Sequence, residues 1–201
     1  MAYRKTEKVQ AQLEAKRSLI VACAVDVVAK SGDGALVEAT AARAGVSAGL
    51  LYRYFADRDE LFAAVVAYVQ ARDIAEMRES AQIETTPLTA LAFAVAALYR
   101  QFDSAHMVRA MAAAPSYRLA IRAELERLMR LADLGTGPKD RALIAAAVMG
   151  VLFGVFEADE AGTRNRAPTA LLFVLRGIGL SDSQARKILA RGWGHSLAGA
   201  V

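Results

Sequence analysis

Apolar residues near the start of the chain recur every three or four positions, which is the spacing of one face of an α-helix. They are Leu13, Ile20, Ala24, Val27 and Val28. This pattern predicts a long amphipathic helix over residues 7–31, ended by the glycine-containing stretch 32–34. Two short helices are predicted next, over residues 36–44 and 48–54, with a turn at Gly45 between them.

A fourth helix is predicted over residues 58–81, because Asp57 and Glu60 form a capping-box pattern ahead of an apolar stripe. The stripe contains Leu61, Phe62, Val65, Val66 and Val69. Later helix starts are marked by prolines or capping residues, at Pro87, Pro115, Pro138, Pro168 and Ser181 with Gln184. These marks predict about six further helices. With no alternating strand pattern, the expected fold class is all-α.

The segment from Ala44 to Phe55 combines a turn with a short helix that carries aromatic and basic side chains. Gly45 permits a left-handed turn, and Ser47 is suited to cap the helix that follows. Two short helices joined by a few residues that include glycine are the signature of a helix-turn-helix. This motif is predicted over residues 36–55.

Residues 17–61 resemble the N-terminal part of the tetracycline-repressor (TetR) family of transcription regulators. The residues that carry the resemblance are Arg17, Ile20, Ala24, Gly32, Ala41, Ala44, Gly45, Val46, Ser47, Gly49, Leu51, Tyr52, Tyr54, Phe55 and Leu61. The resemblance implies a helix-turn-helix DNA-binding domain over residues 7–62. It also implies a domain over residues 63–201 that binds an effector and forms a dimer.

The sequence departs from the family pattern in and after the second helix. Thr40 stands where the family usually has a buried Ile or Leu, and Glu38 stands where a neutral or basic residue often faces the DNA backbone. Arg58 replaces the more usual lysine at the start of the fourth helix and retains its positive charge.

Double-stranded DNA is bound mainly through its phosphates, which call for cationic side chains, hydroxyl groups and backbone N–H groups at helix starts. The residues predicted to contact DNA are Ala48, Gly49, Leu50, Tyr52, Arg53, Tyr54 and Arg58. The small residues allow close entry into the groove, Leu50 contacts a thymine methyl, and Arg53 binds a phosphate or a guanine edge. Arg58 is expected to bind the DNA backbone beside the groove. Leu51 and Phe55 are expected to face inward.

In an alternative interpretation, Tyr52, Tyr54 and Phe55 are core aromatics and the arginines form a solvated face. Residues 1–60 hold nine Lys and Arg against eight Asp and Glu, a net charge of only +1. We therefore expect operator binding to need two copies with recognition helices ~34 Å apart. The basic leader over residues 4–8 either reaches an adjacent groove or is simply solvated.

Residues 139–161 are apolar on almost every side, so a helix here must be covered all round. We expect one face to pack within its own domain and the other to join a second copy. The helices after Pro168 and Ser181 are expected to complete a four-helix homodimer interface.

A small-molecule effector is expected to bind among the middle helices, in a pocket of bulky apolar groups with a few polar ones. The candidate residues are Tyr99, Phe102, His106, Met107, Met111, Tyr117 and Phe153. They favour a largely apolar effector, and ordinary core packing is the alternative for each. The arginines within residues 118–130 are interpreted as a solvated helix face, with an anionic effector site as the alternative.

Composition narrows the chemistry further. The net charge of +4 permits an anionic partner, while the lone Cys23 excludes an internal disulfide and a cysteine-rich zinc site. Two distant histidines and the absence of a phosphate loop give no catalytic, metal or cofactor site, so no enzyme is predicted.

The sequence also bears on compartment. The N-terminal region is charged and lacks the apolar core of a signal peptide. The longest uncharged apolar run, residues 142–156, is shorter than the ~20 residues of a bilayer-spanning helix. We expect a cytoplasmic dimeric repressor, released from its operator when an effector binds. The alternative is a helical small-molecule-binding protein of the same fold that has lost DNA binding, as Glu38 suggests.

Overall fold

The computed structural model describes residues 7–82, 86–101, 104–157 and 163–193. Within these ranges all regular elements are helices, which confirms the all-α prediction. They are α1 (Glu7–Ser31), α2 (Leu36–Ala44), α3 (Ala48–Leu51), α4 (Arg58–Gln82), α5 (Pro87–Gln101), α6 (Ala105–Ala113), α7 (Pro115–Leu131), α8 (Pro138–Glu157), α9 (Thr163–Gly177) and α10 (Asp182–Trp193). None of these described helices has the length and hydropathy needed to cross a membrane.

Contacts divide the chain into two units, residues 1–69 and residues 70–201, so α4 begins in the first unit and ends in the second. The domain boundary expected after residue 62 stays a prediction. In the first unit α1 packs on α2, and α2 packs on α3. The predicted apolar face of α1 is buried at Ile20, Ala24 and Val28.

Thr40 is a buried polar residue on α2. Its side chain is fully inaccessible to solvent, and its hydroxyl oxygen has no hydrogen-bond partner among the described residues. An unpaired hydroxyl in an apolar interior costs free energy, because its hydrogen bonds to water are lost on folding.

We therefore expect Thr40→Val to raise the free energy of unfolding by about 1 kcal/mol, because valine keeps the branched shape and removes the hydroxyl. Chemical denaturation followed by circular dichroism measures the change. Thr40→Ser is the control, since it keeps the hydroxyl and loses the methyl group. A Thr40→Val protein less stable than the parent would contradict this interpretation.

The second unit is built around α5, which is buried continuously from Ala94 to Tyr99. Helix α5 packs on α7, α9 and α10, and α8 packs on α6, α7 and α9. The expected cap at Ser181 is present. The backbone N–H of Gln184 donates to the Ser181 hydroxyl at 3.3 Å, and the backbone N–H of Ser181 donates to Gln184 Oε1 at 2.9 Å.

Three predicted boundaries differ from the structure. Helix α3 ends at Leu51 rather than at residue 54, because the next residues form tight turns, with the Tyr54 amide donating to the Leu51 carbonyl. Helix α9 begins at Thr163, so Pro168 lies inside it, in the second turn, where the proline ring removes one backbone amide donor from the helix. Helix α6 starts after Ser104, whose side chain caps it, and the sequence marks missed this start.

Two polar bridges join α4 to α7 within the second unit. The Tyr117 hydroxyl donates to Asp73 Oδ2 at 2.7 Å, and both carry fully buried side chains. One turn further along, Arg78 donates to both carboxylate oxygens of Glu124, at 3.1 and 2.9 Å. Arg127 donates to the same carboxylate, which is only 4% exposed.

We expect Glu124→Gln to lower the free energy of unfolding by about 2 kcal/mol at pH 7, because two guanidinium groups lose their shared buried carboxylate. Burial alone would raise the pKa of Glu124, but hydrogen bonds from Arg78 and Arg127 hold it below its ordinary value. The ion-pair contribution is therefore complete above the ordinary pKa of 4.5 and is lost as pH falls further. Urea denaturation should show that the difference in the free energy of unfolding between the parent and Glu124→Gln is smaller in acid than at pH 7. A difference that does not depend on pH would contradict this.

Candidate nucleic-acid interface and effector site

The turn between α2 and α3 is built as the sequence predicts. Gly45 adopts the left-handed conformation, with φ of 63° and ψ of 39°, which residues with a Cβ adopt only with strain. The amides of Gly45 and Val46 donate to the carbonyls of Ala42 and Ala41, which closes the C-terminus of α2. The glycine therefore fixes the angle at which the chain enters α3.

Ser47 starts α3. Its hydroxyl accepts a hydrogen bond from the Leu50 amide at 3.1 Å, as an N-cap residue does. Leu51 and Phe55 are 0% and 1% exposed, which confirms that they face inward. These two anchors hold the short helix against its unit and leave its other side to solvent.

The outward side of this segment carries most of the residues predicted to contact DNA. Ala48, Gly49 and Arg53 are exposed, Tyr52 is 48% exposed, and Leu50 and Tyr54 are half-buried. Addition of a Cβ at Gly49 would meet no atom within 4 Å. This face therefore carries small residues at its N-terminal end, followed by the phenol of Tyr52 and the guanidinium of Arg53.

Residues of α1 lie next to the segment from Ala44 to Phe55, which we call the recognition segment. The Arg17 guanidinium lies 4.6 Å from the centre of the Phe55 ring and 3.7 Å from Glu60. Between α1 and α3 runs a groove of about 460 Å³, whose lining residues are Gln10, Leu13, Glu14, Arg17, Leu50, Arg53 and Tyr54. Arg53 lies at this groove, next to the exposed surface of α3.

Helix α4 begins with the expected capping box. The Glu60 amide donates to Asp57 Oδ1 at 2.7 Å, while the Glu60 carboxylate accepts from the Ala56 amide at 2.6 Å. Arg58 donates to the carbonyl and carboxylate of Asp33, and Asp59 lies 3.3 Å away. Sequence reasoning missed Asp33, because no local pattern signals a contact between residues so far apart in the chain.

Ion pairs distribute the charge of the first unit unevenly. Arg17, Arg43 and Arg58 each pair with a carboxylate, on Glu60, Asp26 and Asp33 respectively. No described residue forms such a pair with Arg53. Arg53 therefore keeps its positive charge available to a phosphate or a base.

Comparison with known proteins agrees with this geometry. Residues 20–65 match the family model described as bacterial regulatory proteins of the tetR family. This part of the chain is therefore similar to the N-terminal part of tetR-family regulators. No curated protein gives a match to the sequence.

Solved structures extend the likeness of this chain beyond its first unit. A transcriptional regulator from Rhodococcus sp. Rha1 is 25% identical with a TM-score of 0.62, covering 87% of this chain and 96% of its own. RolR in complex with resorcinol is 20% identical with a TM-score of 0.59, covering 90% and 96%. AmtR of Mycobacterium smegmatis is 19% identical with a TM-score of 0.59, covering 87% and 92%. RolR and AmtR resemble this chain in fold alone.

The predicted effector residues occupy different environments in the second unit. Tyr99, Met107, Met111 and Tyr117 are buried core residues. Phe153 lines a groove of about 370 Å³ between α7 and α8. These placements leave their assignment to an effector pocket a prediction, and Phe102 lies outside the described residues.

His106 differs from the buried members of this set. It lies on the exposed side of α6, while the next residue, Met107, is buried. Successive residues of a helix point about 100° apart, so packing Met107 inward turns the His106 imidazole to solvent. The role of His106 in an effector pocket stays a prediction.

Hydrogen bonds within the chain use both buried tyrosine hydroxyls. Tyr99 donates to the Val148 carbonyl at 3.3 Å, and Tyr117 donates to Asp73. Burial raises the pKa of both phenols, and for Tyr117 the charge of Asp73 raises it further, so both remain protonated donors. Burial also raises the pKa of Asp73, against the lowering effect of Arg72.

Sequence reasoning missed the buried acids Asp73 and Glu124, although a signal was present. Asp73 lies midway between Val69 and Met77 on the buried stripe of α4, at intervals of four residues. A carboxylate in an apolar stripe requires a buried partner, because an unpaired charge there is costly.

Proposed function

We propose that this protein is a homodimeric, effector-responsive DNA-binding regulator that represses transcription until an effector releases it from its operator. The observation that carries the proposal is the recognition segment: inward anchors at Leu51 and Phe55, with Tyr52 and Arg53 exposed on the other side. Small residues at its start allow close approach to a major groove.

Each predicted DNA contact has a role that suits its position. Arg53 is proposed to bind a guanine edge or a phosphate, and Tyr52 and Tyr54 to donate hydroxyls to phosphates. Arg58 stands at the N-terminus of α4, where backbone amides also favour an anion. Its bond to Asp33 holds the guanidinium in place, and a phosphate contact there would share the guanidinium with Asp33.

An apolar face on α8 supports dimer formation. Leu143, Ala147, Gly150 and Gly154 are all exposed and recur at intervals of four, three and four residues. Phe173 on the adjacent helix α9 is 71% exposed. A face of this kind, left open in a single copy, is suited to pack against the same face of a second copy.

Gly150 strengthens this argument. Glycine inside a helix costs about 1 kcal/mol relative to alanine, so it needs a compensating reason. Within the chain a Cβ at Gly150 would meet no atom within 4 Å, so packing inside one copy does not require the glycine. Close approach of a helix from a second copy supplies that reason.

Regulation is proposed to pass through α4. This helix starts with Arg58 in the unit that contains the recognition segment, and it later carries Asp73 and Arg78, which bond to α7. An effector that prefers one arrangement of α7 over another would shift the position of α4 and hence the spacing of two recognition helices. The coupling requires that effector binding change operator affinity.

A gel shift with DNA that flanks the protein's own gene tests the function. We expect retention that is selective for sequence and that weakens steeply between 50 and 200 mM salt, because phosphate contacts release counterions. Scrambled DNA of equal length and composition is the control. Equal retention of both DNAs would contradict operator recognition.

The second candidate is a small-molecule-binding protein that keeps this fold without DNA binding. Glu38 favours it, because its carboxylate is exposed in the first turn of α2, where it would repel a DNA backbone. No retention of any DNA at 50 mM salt would support this candidate.

A further inference from the structure

A cleft in the second unit lies beside the shared ion bridge of Arg78, Glu124 and Arg127. Its volume is about 580 Å³, within the range of small-molecule sites. The lining residues are Arg78, Ala81, Gln82, Thr86, Pro87, Ala90, Arg127, Leu128 and Leu131. They come from the end of α4, the start of α5 and the end of α7, and of them only Arg127 belongs to a set, the arginines within residues 118–130, for which the sequence offered an anionic effector site as the alternative.

The lining combines an apolar surface with two cations. Leu131 is 60% exposed, so an apolar surface faces solvent here without a partner. The side chains of Arg78 and Arg127 are 54% and 39% exposed. No carboxylate is among the described lining residues, since Glu124 is buried behind the arginines.

The ion bridge leaves each arginine with unused donors. Arg78 and Arg127 both reach Glu124 through Nε and Nη2, and within the described residues no hydrogen bond occupies the Nη1 group of either. A guanidinium carries five N–H donors in a planar fork, so each can bind a second anion while it keeps Glu124.

The charge balance indicates which anion fits. Among the described residues of the ion bridge, two guanidinium groups and one carboxylate leave a single net positive charge. One monoanion neutralises it, whereas a dianion would leave an excess negative charge beside the buried Glu124. The start of α5 adds the partial positive charge of a helix N-terminus next to Thr86 and Pro87.

We propose that this cleft binds a small amphipathic monocarboxylate, with its carboxylate on Arg78 and Arg127 and its hydrocarbon part against Ala90, Leu128 and Leu131. Carboxylate and guanidinium form charge-assisted hydrogen bonds, and the apolar lining favours a hydrocarbon tail over a bare anion. Use of the site to control DNA binding rests on the proposed function, but the binding itself does not.

Isothermal titration of the purified full-length chain with hexanoate, without DNA, tests the site. We expect saturable binding with a Kd below about 1 mM, and at least tenfold weaker binding of hexanamide, which keeps the shape without the charge. Inorganic phosphate should also bind at least tenfold more weakly, because it has no tail. Equal binding of hexanoate and hexanamide, equal binding of hexanoate and phosphate, or no binding of hexanoate would each overturn the proposal.

Variants locate the site. Arg127→Gln and Arg78→Gln should each weaken hexanoate binding at least tenfold, whereas Arg130→Gln, on the same helix as Arg127 but outside the cleft, should leave it unchanged. Ala90→Trp fills the apolar part without touching the ion bridge, so it should abolish hexanoate binding even if the arginine variants unfold. Unchanged binding in Ala90→Trp would overturn the proposal. Because no DNA is present, failure here is distinct from failure of operator recognition.

Discussion

Arg53→Ala is expected to lower operator affinity at least about 30-fold. A bidentate arginine contact to a guanine contributes about 1–3 kcal/mol, and a dimer loses two of them, one in each half-site. Arg53 is exposed on the recognition segment and lacks a carboxylate partner among the described residues, so its removal leaves the fold unstrained. Fluorescence anisotropy with labelled operator measures the loss.

Two further variants make this result specific. Tyr52→Phe removes one hydroxyl donor and should weaken binding more mildly, by up to about tenfold. Arg186→Ala removes an exposed arginine from α10 and should leave operator affinity unchanged. Operator affinity that is unchanged in both Arg53→Ala and Tyr52→Phe would show that this segment does not bind DNA.

Ala147→Arg is expected to convert the dimer to a monomer at micromolar concentration. Ala147 lies in the middle of the exposed apolar face of α8, where a buried guanidinium without a partner would cost several kcal/mol. Operator affinity should also fall by a factor of about 10² or more relative to the parent protein, because the two half-sites are no longer bound by one linked molecule. Light scattering coupled to size exclusion measures the first effect, and anisotropy measures the second.

Ala75→Arg is the matched control for Ala147→Arg. It makes the same substitution at an exposed position on α4, away from the apolar face of α8. This variant should remain a dimer and bind the operator normally. A dimeric Ala147→Arg protein would place the interface elsewhere on the molecule.

The parts of the structure that depend on local sequence could be predicted closely. Helices α1 and α2 have the predicted bounds, because a 3.6-residue apolar period and glycine stops define both ends. The cap at Ser47 and the capping box at Asp57 likewise need only nearby residues. The recognition segment was predictable for the same reason.

Features that depend on distant contacts could not be predicted in this way. The pairing of Arg58 with Asp33 joins residues 25 positions apart, and the burial of Glu124 depends on a partner on α4. The cleft beside Arg78 exists only because the ends of α4 and α7 meet the start of α5. Sequence periodicity describes one helix at a time, so it does not predict contacts between helices that are distant in the sequence.

Hydroxyl-radical footprinting on the DNA that flanks the protein's own gene tests most directly whether two copies of the recognition segment read one operator. We expect protection in two inverted half-sites, centred about 10 base pairs or a multiple of that distance apart, because successive major grooves are ~34 Å apart. Arg53→Ala should abolish both protected segments together. Uniform protection without half-sites, or the same footprint with Arg53→Ala, would contradict recognition by this segment.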